Sequence, residues 1–171
     1  ITVEFWYKSG SAAINTSTQT AKQVIFDLWN NEASGSDTYG RFRIAIDGTA
    51  ASSPFVLTLL SGAVGLSTSS LNIGSDLNKN SFSDWKHYAF SLVNSGNEIQ
   101  TKFYVNGDLK ETILTGSNIE EIRKPLQANI GALLTSSWLG TRAAPQVTTG
   151  WGKLSGSIDE FRFWKEKRSS K

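Results

Sequence analysis

The sequence contains no cysteine and no methionine, and only three prolines among its 171 residues. Without cysteine there is no disulfide, so stability must come from a hydrophobic core, and this length is sufficient for one. The absence of cysteine fits cytosolic, virion and bacterial-surface proteins alike, so it leaves the compartment open. Because no apolar run approaches the roughly 20 residues of a transmembrane helix, we expect no membrane-spanning segment.

A strong charge of one sign is also lacking, since the net charge is +2. Residues 165–171 hold four of the 17 basic residues and one of the 15 acidic ones, so the remainder is close to neutral. We interpret this basic tip as the start of a solvated linker, and we expect no nucleic-acid partner. The first residues already have a strand-like pattern. Residues 1–171 are therefore interpreted as one domain of a longer polypeptide.

Short alternating segments rich in aromatic residues dominate the chain. In "ITVEFWYKS" one predicted strand face holds Ile1, Val3, Phe5 and Tyr7, and the other holds Thr2, Glu4, Trp6 and Lys8. Further strands are predicted in "QVIFDLWN", "RFRIAIDG", "FVLTLLSG", "SLNIG", "DWKHYAFSLV", "QANIGALL" and "GSIDEFRFWK". Many short strands separated by turn residues predict an all-β, antiparallel sandwich or barrel.

Two local signals refine this prediction. In "IQTKFYVNGDLKETIL", Asn106-Gly107 suits a type I′ turn and predicts a β-hairpin. In "SNIEEIRKP", Asn118 and Glu121 have capping-box spacing and Pro125 would end the segment. We expect at most one or two helical turns there.

Several segments, taken in order, resemble a known family. "ITVEFWYKS", "DWKHYAFSLV", "KFYVNGDLKET", "ANIGALL" and "GSIDEFRFW" resemble the concanavalin A-like lectin/glucanase superfamily, and within it the laminin G-like, pentraxin-related jelly-roll domains. The resemblance implies two antiparallel sheets packed face to face, with the terminal strands adjacent. It also implies a module that binds glycans or proteins or serves in assembly. Some members hold calcium, and a minority of the superfamily are glycoside hydrolases.

Catalysis is not expected, because the carboxylates have the wrong spacing. Retaining glycosidases need two carboxyl groups about 5–5.5 Å apart. Asp159 and Glu160 are adjacent in a strand and would point to opposite faces, and Glu120 with Glu121 fails similarly. His87 is the only histidine and has no evident nucleophile partner in the sequence. We therefore predict no enzymatic activity.

Oxygen ligands of the kind that Ca²⁺ prefers occur in the loop after the second strand, at Asn31, Glu32 and Asp37. The alternative is a polar loop that faces solvent. Pentraxin-type calcium sites draw acids from the loop before the closing strand, but residues 135–155 contain none. Calcium therefore stays an open alternative, and we predict no other cofactor.

The long loop before the closing strand also supplies the candidate ligand-binding residues, Trp138, Arg142 and Trp151. A tryptophan face can stack on a sugar ring, and arginine can donate paired hydrogen bonds to hydroxyl or acidic groups. Tyr39, in the other long loop, is a weaker companion. The alternative is that the tryptophans only pin the loop onto the sandwich.

The sequence thus predicts a non-catalytic recognition module that binds a glycan or a glycan-bearing surface through residues 30–40 and 135–153. The competing hypothesis is a structural or assembly domain, such as a virion decoration, fibre or surface-layer component, that contacts other protein chains. Either hypothesis implies an extracellular, cell-surface or virion-surface location. For Asp159, we predict a bulge near residues 157–159 or a set of hydrogen bonds to its carboxylate.

Overall fold

A computed structural model describes residues 1–10, 22–134 and 152–168. These residues form ten strands: β1 (Thr2–Ser9), β2 (Lys22–Trp29), β3 (Gly40–Asp47), β4 (Phe55–Ser61), β5 (Val64–Ile73), β6 (Lys86–Ser95), β7 (Glu98–Val105), β8 (Asp108–Thr115), β9 (Gln127–Ile130) and β10 (Gly156–Trp164). Sheet A has the strand order β10-β1-β6-β7-β8, and sheet B has the order β5-β4-β3-β2-β9. Every neighbouring pair is antiparallel. The predicted β-sandwich with adjacent terminal strands is confirmed.

The core lies between the two sheets and is built by strand alternation. From β1, Val3, Phe5 and Tyr7 are fully buried, as the sequence predicts. The ring of Phe55 on β4 lies 5.1 Å, centroid to centroid, from both Tyr88 and Phe90 on β6, so it joins sheet B to sheet A. Each large apolar side chain buried in this way contributes about 1.5–3 kcal/mol. The residues that point away from the core form the outer face of each sheet.

The predicted hairpin is formed by β7 and β8. Asn106 has a φ of 52° and Gly107 a φ of 88°, which are the two positive values that a type I′ turn requires. The Asn106 side chain also accepts a hydrogen bond from the His87 amide at 2.9 Å. The turn is therefore tied to β6 as well as to its own strands.

The helical candidate at residues 117–125 forms no helix in the described residues, which agrees with the expectation of at most one or two helical turns. The Asn118 amide donates to the Asn97 carbonyl oxygen at 3.2 Å. The Asn94 side chain bonds both the carbonyl oxygen and the amide of Ile119, at 2.9 and 3.3 Å. These backbone groups are thus bonded to Asn94 at the end of β6 and to Asn97 in the β6–β7 turn, and Ile119 and Ile122 pack on the core. Tertiary contacts therefore override the capping-box signal.

A β-bulge in β10 explains the position of Asp159. β1 pairs Trp6 with Asp159 but Glu4 with Arg162, so β10 carries one extra residue there. Glu160 takes up the irregularity with a φ of 47°, and its amide donates to the Asp159 carboxylate at 2.8 Å. In a regular strand Asp159 would share a face with Phe161. The bulge breaks this parity: Phe161 packs on the core, and Asp159 is exposed.

The segment after β10 lies against β1. Thr2 Oγ1 donates to the Glu166 carbonyl oxygen at 3.1 Å and accepts from the Arg168 amide at 3.0 Å. The Arg168 guanidinium lies 4.3 Å from the ring centroid of Trp164. The described residues contain no helix long and apolar enough to cross a membrane.

Candidate functional site

The outer face of sheet B carries a buried cluster of charged side chains, the Asp27 cluster, made of Asp27 on β2 and Arg41 and Arg43 on β3. Arg41 Nε and Nη2 donate to the two Asp27 oxygens at 2.8 and 2.7 Å, which is a bidentate pair. Both side chains are at most 1% exposed. The amide of Leu134 donates to the same carboxylate at 2.9 Å. Buried charges of this kind require such partners, because their desolvation is costly.

Electrostatics distinguishes the two arginines of the cluster. Burial alone would lower the pKa of Arg41, but the hydrogen bonds and charge of Asp27 outweigh it, and the net pKa is raised. Burial, followed by the charge of Arg41, lowers the pKa of Arg43 to about 10. Since this value is still well above neutrality, both guanidiniums are charged at pH 7. The Asp27 cluster therefore carries more positive than negative charge.

Trp29 links the Asp27 cluster to the loop of residues 30–40. The Arg41 guanidinium lies 5.9 Å from the Trp29 ring centroid, and the indole Nε1 donates to the Glu32 carbonyl oxygen at 2.9 Å. Asn30 organises the loop itself. Its side-chain amide donates to the carbonyl oxygens of Thr38 and Arg123, and its oxygen accepts from the Gly40 amide at 2.9 Å. The loop is thus held by buried polar contacts beside the cluster.

Of the proposed calcium ligands in this loop, Glu32 already has a lysine partner and the other two are exposed. The Glu32 carboxylate pairs with the Lys124 ammonium at 2.7 Å and accepts from the Thr38 hydroxyl at 3.2 Å. The hydrogen bond from Lys124 holds the pKa of Glu32 below its ordinary value. A cation would therefore have to displace Lys124, and Asn31 and Asp37 are exposed. No three acidic, histidine or cysteine residues within the described ranges are grouped so as to hold a metal.

The predicted ligand-binding residues fall in two places. Tyr39 is buried, with 5% exposure, so its ring offers no open face to a sugar, and the expectation of a stacking platform there is not met. Trp138, Arg142 and Trp151 lie outside the described residues. Both described flanks of that segment attach to β2: Leu134 bonds Asp27, and the Gly152 carbonyl oxygen accepts from the Val24 amide at 2.7 Å.

Sequence reasoning missed the Asp27 cluster. A signal existed, because "QVIFDLWN" places one acid in an apolar strand and "RFRIAID" places two arginines two residues apart. Alternation puts Arg41 and Arg43 on the outer face, and the register pairs Asp27 with Arg43 and Trp29 with Arg41. The sequence does not show that β2 and β3 are neighbours in this register, and the three side chains meet only because they are.

The outer face of sheet A has a second polar group of residues, more open to solvent. The Glu4 carboxylate accepts from the Trp164 indole at 3.1 Å and from Arg162 at 3.5 Å. His87 Nε2 lies 3.6 Å from the other Glu4 oxygen. Arg162 also donates to Glu160 at 3.2 Å, so its guanidinium links β10 to β1.

The two packed antiparallel sheets define the chain as a β-sandwich jelly-roll domain. Among solved structures it is similar to the CBM40 carbohydrate-binding module of Ruminococcus gnavus IT-sialidase. The module bound to alpha2,6 sialyllactose has a TM-score of 0.57 at 14% identity, over 98% of this chain and 77% of that chain. The module bound to alpha2,3 sialyllactose has a TM-score of 0.54 at 15% identity, over 99% and 77%.

No protein-family model matches the sequence, and no curated protein matches it either. At the identities of the CBM40 modules, the similarity establishes the architecture of the chain and leaves its ligand to be argued from its own residues.

Proposed function

We propose that the chain is a non-catalytic glycan-recognition module that binds acidic glycans at the outer face of sheet B. The observation that carries this proposal is the Asp27 cluster, in which two guanidiniums face one carboxylate in a layer shielded from water. An excess of fixed positive charge in such a setting attracts anions more strongly than the same charge in open solvent. A carboxylate-bearing sugar complements it.

The two loops that the sequence analysis identified as candidate binding loops also support a site on the outer face of sheet B. Residues 30–40 adjoin the Asp27 cluster through Trp29, and the segment with Trp138, Arg142 and Trp151 begins and ends at contacts with β2. In this proposal the tryptophans stack on sugar rings, and Arg142 donates paired hydrogen bonds. In the same proposal, the Asp27 cluster supplies the positive potential.

The similar solved structures support the class of ligand. Both are described as carbohydrate-binding modules bound to sialyllactose, a trisaccharide that contains an acidic sugar. We further propose that the chain belongs to the laminin G-like branch of the concanavalin A-like superfamily. It also includes a role within a larger secreted, cell-surface or virion-surface polypeptide, for instance in adhesion.

At the proposed acidic-glycan site, the absence of catalysis rests on carboxylate spacing. On the outer face of sheet B, Asp27 is opposite Arg43, and Asp47 is opposite Lys22, five residues away along β2. Because a bulge near Phe26 absorbs one residue of β2, the span is four residues along β3, roughly 13 Å at about 3.3 Å per residue. Hydrolysis with retention needs about 5–5.5 Å and inversion about 6.5–9.5 Å, so these two cannot act on one bond.

A glycan array followed by titration with both sialyllactoses tests the proposal. We expect the 171-residue chain to bind sialylated glycans, and Trp138→Ala, Trp151→Ala and Arg142→Ala each to weaken binding by about tenfold. Trp85→Ala, which removes an exposed indole next to sheet A, is the matched control and should bind normally. If the folded chain binds no glycan, the proposal fails.

A second candidate function, assembly with other protein chains, has one observation in its favour. β8 is an edge strand of sheet A, and it exposes Leu109 and Leu114 to about half of their surface. Exposed apolar residues on an unpaired edge are a template for association. Light scattering separates this candidate from the first: association that Leu109→Lys with Leu114→Lys abolishes, together with an empty glycan array, would support assembly.

A further inference from the structure

The outer face of sheet A holds a second constellation suited to sugars, which we call the Trp6 cluster: Trp6 and Glu4 on β1, His87 on β6, and Asp159, Glu160 and Arg162 on β10. Strand register brings them together, since Trp6 is the direct neighbour of His87 on one side and of Asp159 on the other. The cluster lies on the side of the sandwich opposite the Asp27 cluster.

Trp6 supplies an open aromatic surface. It is 36% exposed, although it lies in the middle of a strand with neighbours on both sides. Its ring centroid lies 5.6 Å from that of His87, so the indole is supported on one side rather than free to turn. A held and partly exposed indole has the geometry to stack on a sugar ring, because little side-chain entropy remains to be lost.

Hydrogen-bonding groups surround this indole. Arg162 bridges Glu4 and Glu160 at 3.5 and 3.2 Å, which fixes all three side chains while leaving Arg162 and Glu160 about half exposed. An ionised carboxylate has about four acceptor positions, so each can still accept sugar hydroxyls. Donors and acceptors held around an aromatic platform are what a sugar ring with several hydroxyl groups requires.

The bulge in β10 is what turns Asp159 toward this face. Without it, strand parity would point Asp159 to the side of Phe161, which packs on the core. The bulge places a non-glycine residue, Glu160, at a φ of 47°, a conformation that such residues seldom adopt. Backbone strain of this kind tends to mark positions where a side chain is re-aimed for a purpose.

Charge decides which sugars this face accepts. Glu4, Asp159 and Glu160 provide three carboxylates, against the guanidinium of Arg162 and the ammonium of Lys8, which is two residues from Trp6 on the same strand face. An acidic sugar would therefore be repelled, whereas the hydroxyl groups of a neutral sugar can donate to the carboxylates. We propose that the Trp6 cluster is a second binding site, for neutral hexose-containing glycans, on the face opposite the proposed acidic-glycan site.

Nuclear magnetic resonance titration of the 171-residue chain tests the second site. The probes are lactose, a neutral glucan tetrasaccharide, and free sialic acid. The Trp6 indole N–H resonance is assigned by its loss in Trp6→Phe. We expect at least one neutral probe at about 10 mM to shift this resonance, with a Kd on the order of millimolar, and sialic acid to leave it unmoved.

Variants then separate a binding role from a structural one. Trp6→Ala should reduce affinity for the neutral probe by about tenfold and leave sialyllactose affinity unchanged. Leu109→Ala, which trims an exposed apolar side chain elsewhere on sheet A, is the matched control and should bind normally. If Trp6→Ala does not fold, Glu160→Gln gives the same test, with an expected loss of several-fold.

Two results would overturn the second site. One is a Trp6 resonance that none of the neutral probes moves. The other is a neutral glycan whose affinity is the same in Trp6→Ala and Glu160→Gln as in the parent chain. Because sialyllactose binding is measured on the same variants, failure here is distinguishable from failure of the acidic-glycan site.

Discussion

The charged side chains on the outer faces of the two sheets differ in burial: those of the Asp27 cluster are buried, and those of sheet A are partly exposed. On sheet B, Asp27 and Arg41 are almost completely removed from water and form a bidentate pair. On sheet A, Glu4, Glu160 and Arg162 make longer contacts and remain partly open to solvent. From this difference we expect burial, more than the number of ion pairs, to determine how much each charged residue contributes to folding stability. The Asp27 cluster is shielded and carries more positive than negative charge, whereas the Trp6 cluster is open to solvent and carries more negative than positive charge.

The largest expected effect comes from Asp27→Ala. Removal of this carboxylate leaves the Arg41 guanidinium buried without its bidentate partner, so we expect a loss of about 3–5 kcal/mol in the free energy of unfolding. Urea denaturation measures it. Asp84→Ala removes an exposed carboxylate before β6 and serves as the control, with a change below about 0.5 kcal/mol. Equal losses in the two variants would mean that burial of the Asp27 carboxylate does not increase its contribution to stability.

A smaller effect is expected from Glu4→Gln on sheet A. The variant keeps an acceptor for the Trp164 indole but loses the charge that attracts Arg162. Because these groups are partly solvated, we expect a loss of about 1 kcal/mol or less by urea denaturation. A loss as large as that of Asp27→Ala would mean that the sheet A contacts are energetically equivalent to the buried pair.

The Glu32–Lys124 pair should give a still smaller effect, which depends on pH. The pKa of Glu32 is lowered from its ordinary value of 4.5, so the native state favours the ionised form. The stabilisation is therefore present above pH 4.5 and is lost as the pH falls through the lower native pKa. Urea midpoints of the parent chain and Glu32→Gln should differ near neutrality and converge in acid. A constant difference across this range would exclude the pair as its cause.

Calcium should have the smallest effect of all. Because Lys124 already occupies the Glu32 carboxylate, we expect millimolar Ca²⁺ to leave the Tm unchanged. Differential scanning calorimetry with Ca²⁺ and with a chelator checks this. A rise in Tm that Glu32→Gln removes would show that the loop of residues 30–40 binds the ion after all.

The sequence predicted much of the fold and less of the site. The alternation in β1 correctly predicted which of its residues face the core, and Asn106-Gly107 correctly predicted the turn between β7 and β8. Both signals involve neighbouring residues, so they can be detected in the sequence alone. The helical candidate at residues 117–125 forms no helix because the amides of Asn118 and Ile119 bond to Asn97 and Asn94 rather than within the segment. Tyr39 has loop-like neighbours in the sequence, yet it is buried.

By itself, the sequence determined the all-β architecture, the positions of most strands and the near neutrality of most of the chain, since each follows from local pattern or composition. Only the tertiary structure decided that Asp27 meets Arg41 and that Asp159 lies beside Trp6. The physical reason is that strand register and a single bulge set which side chains meet across a sheet. Both depend on contacts between segments far apart in the chain.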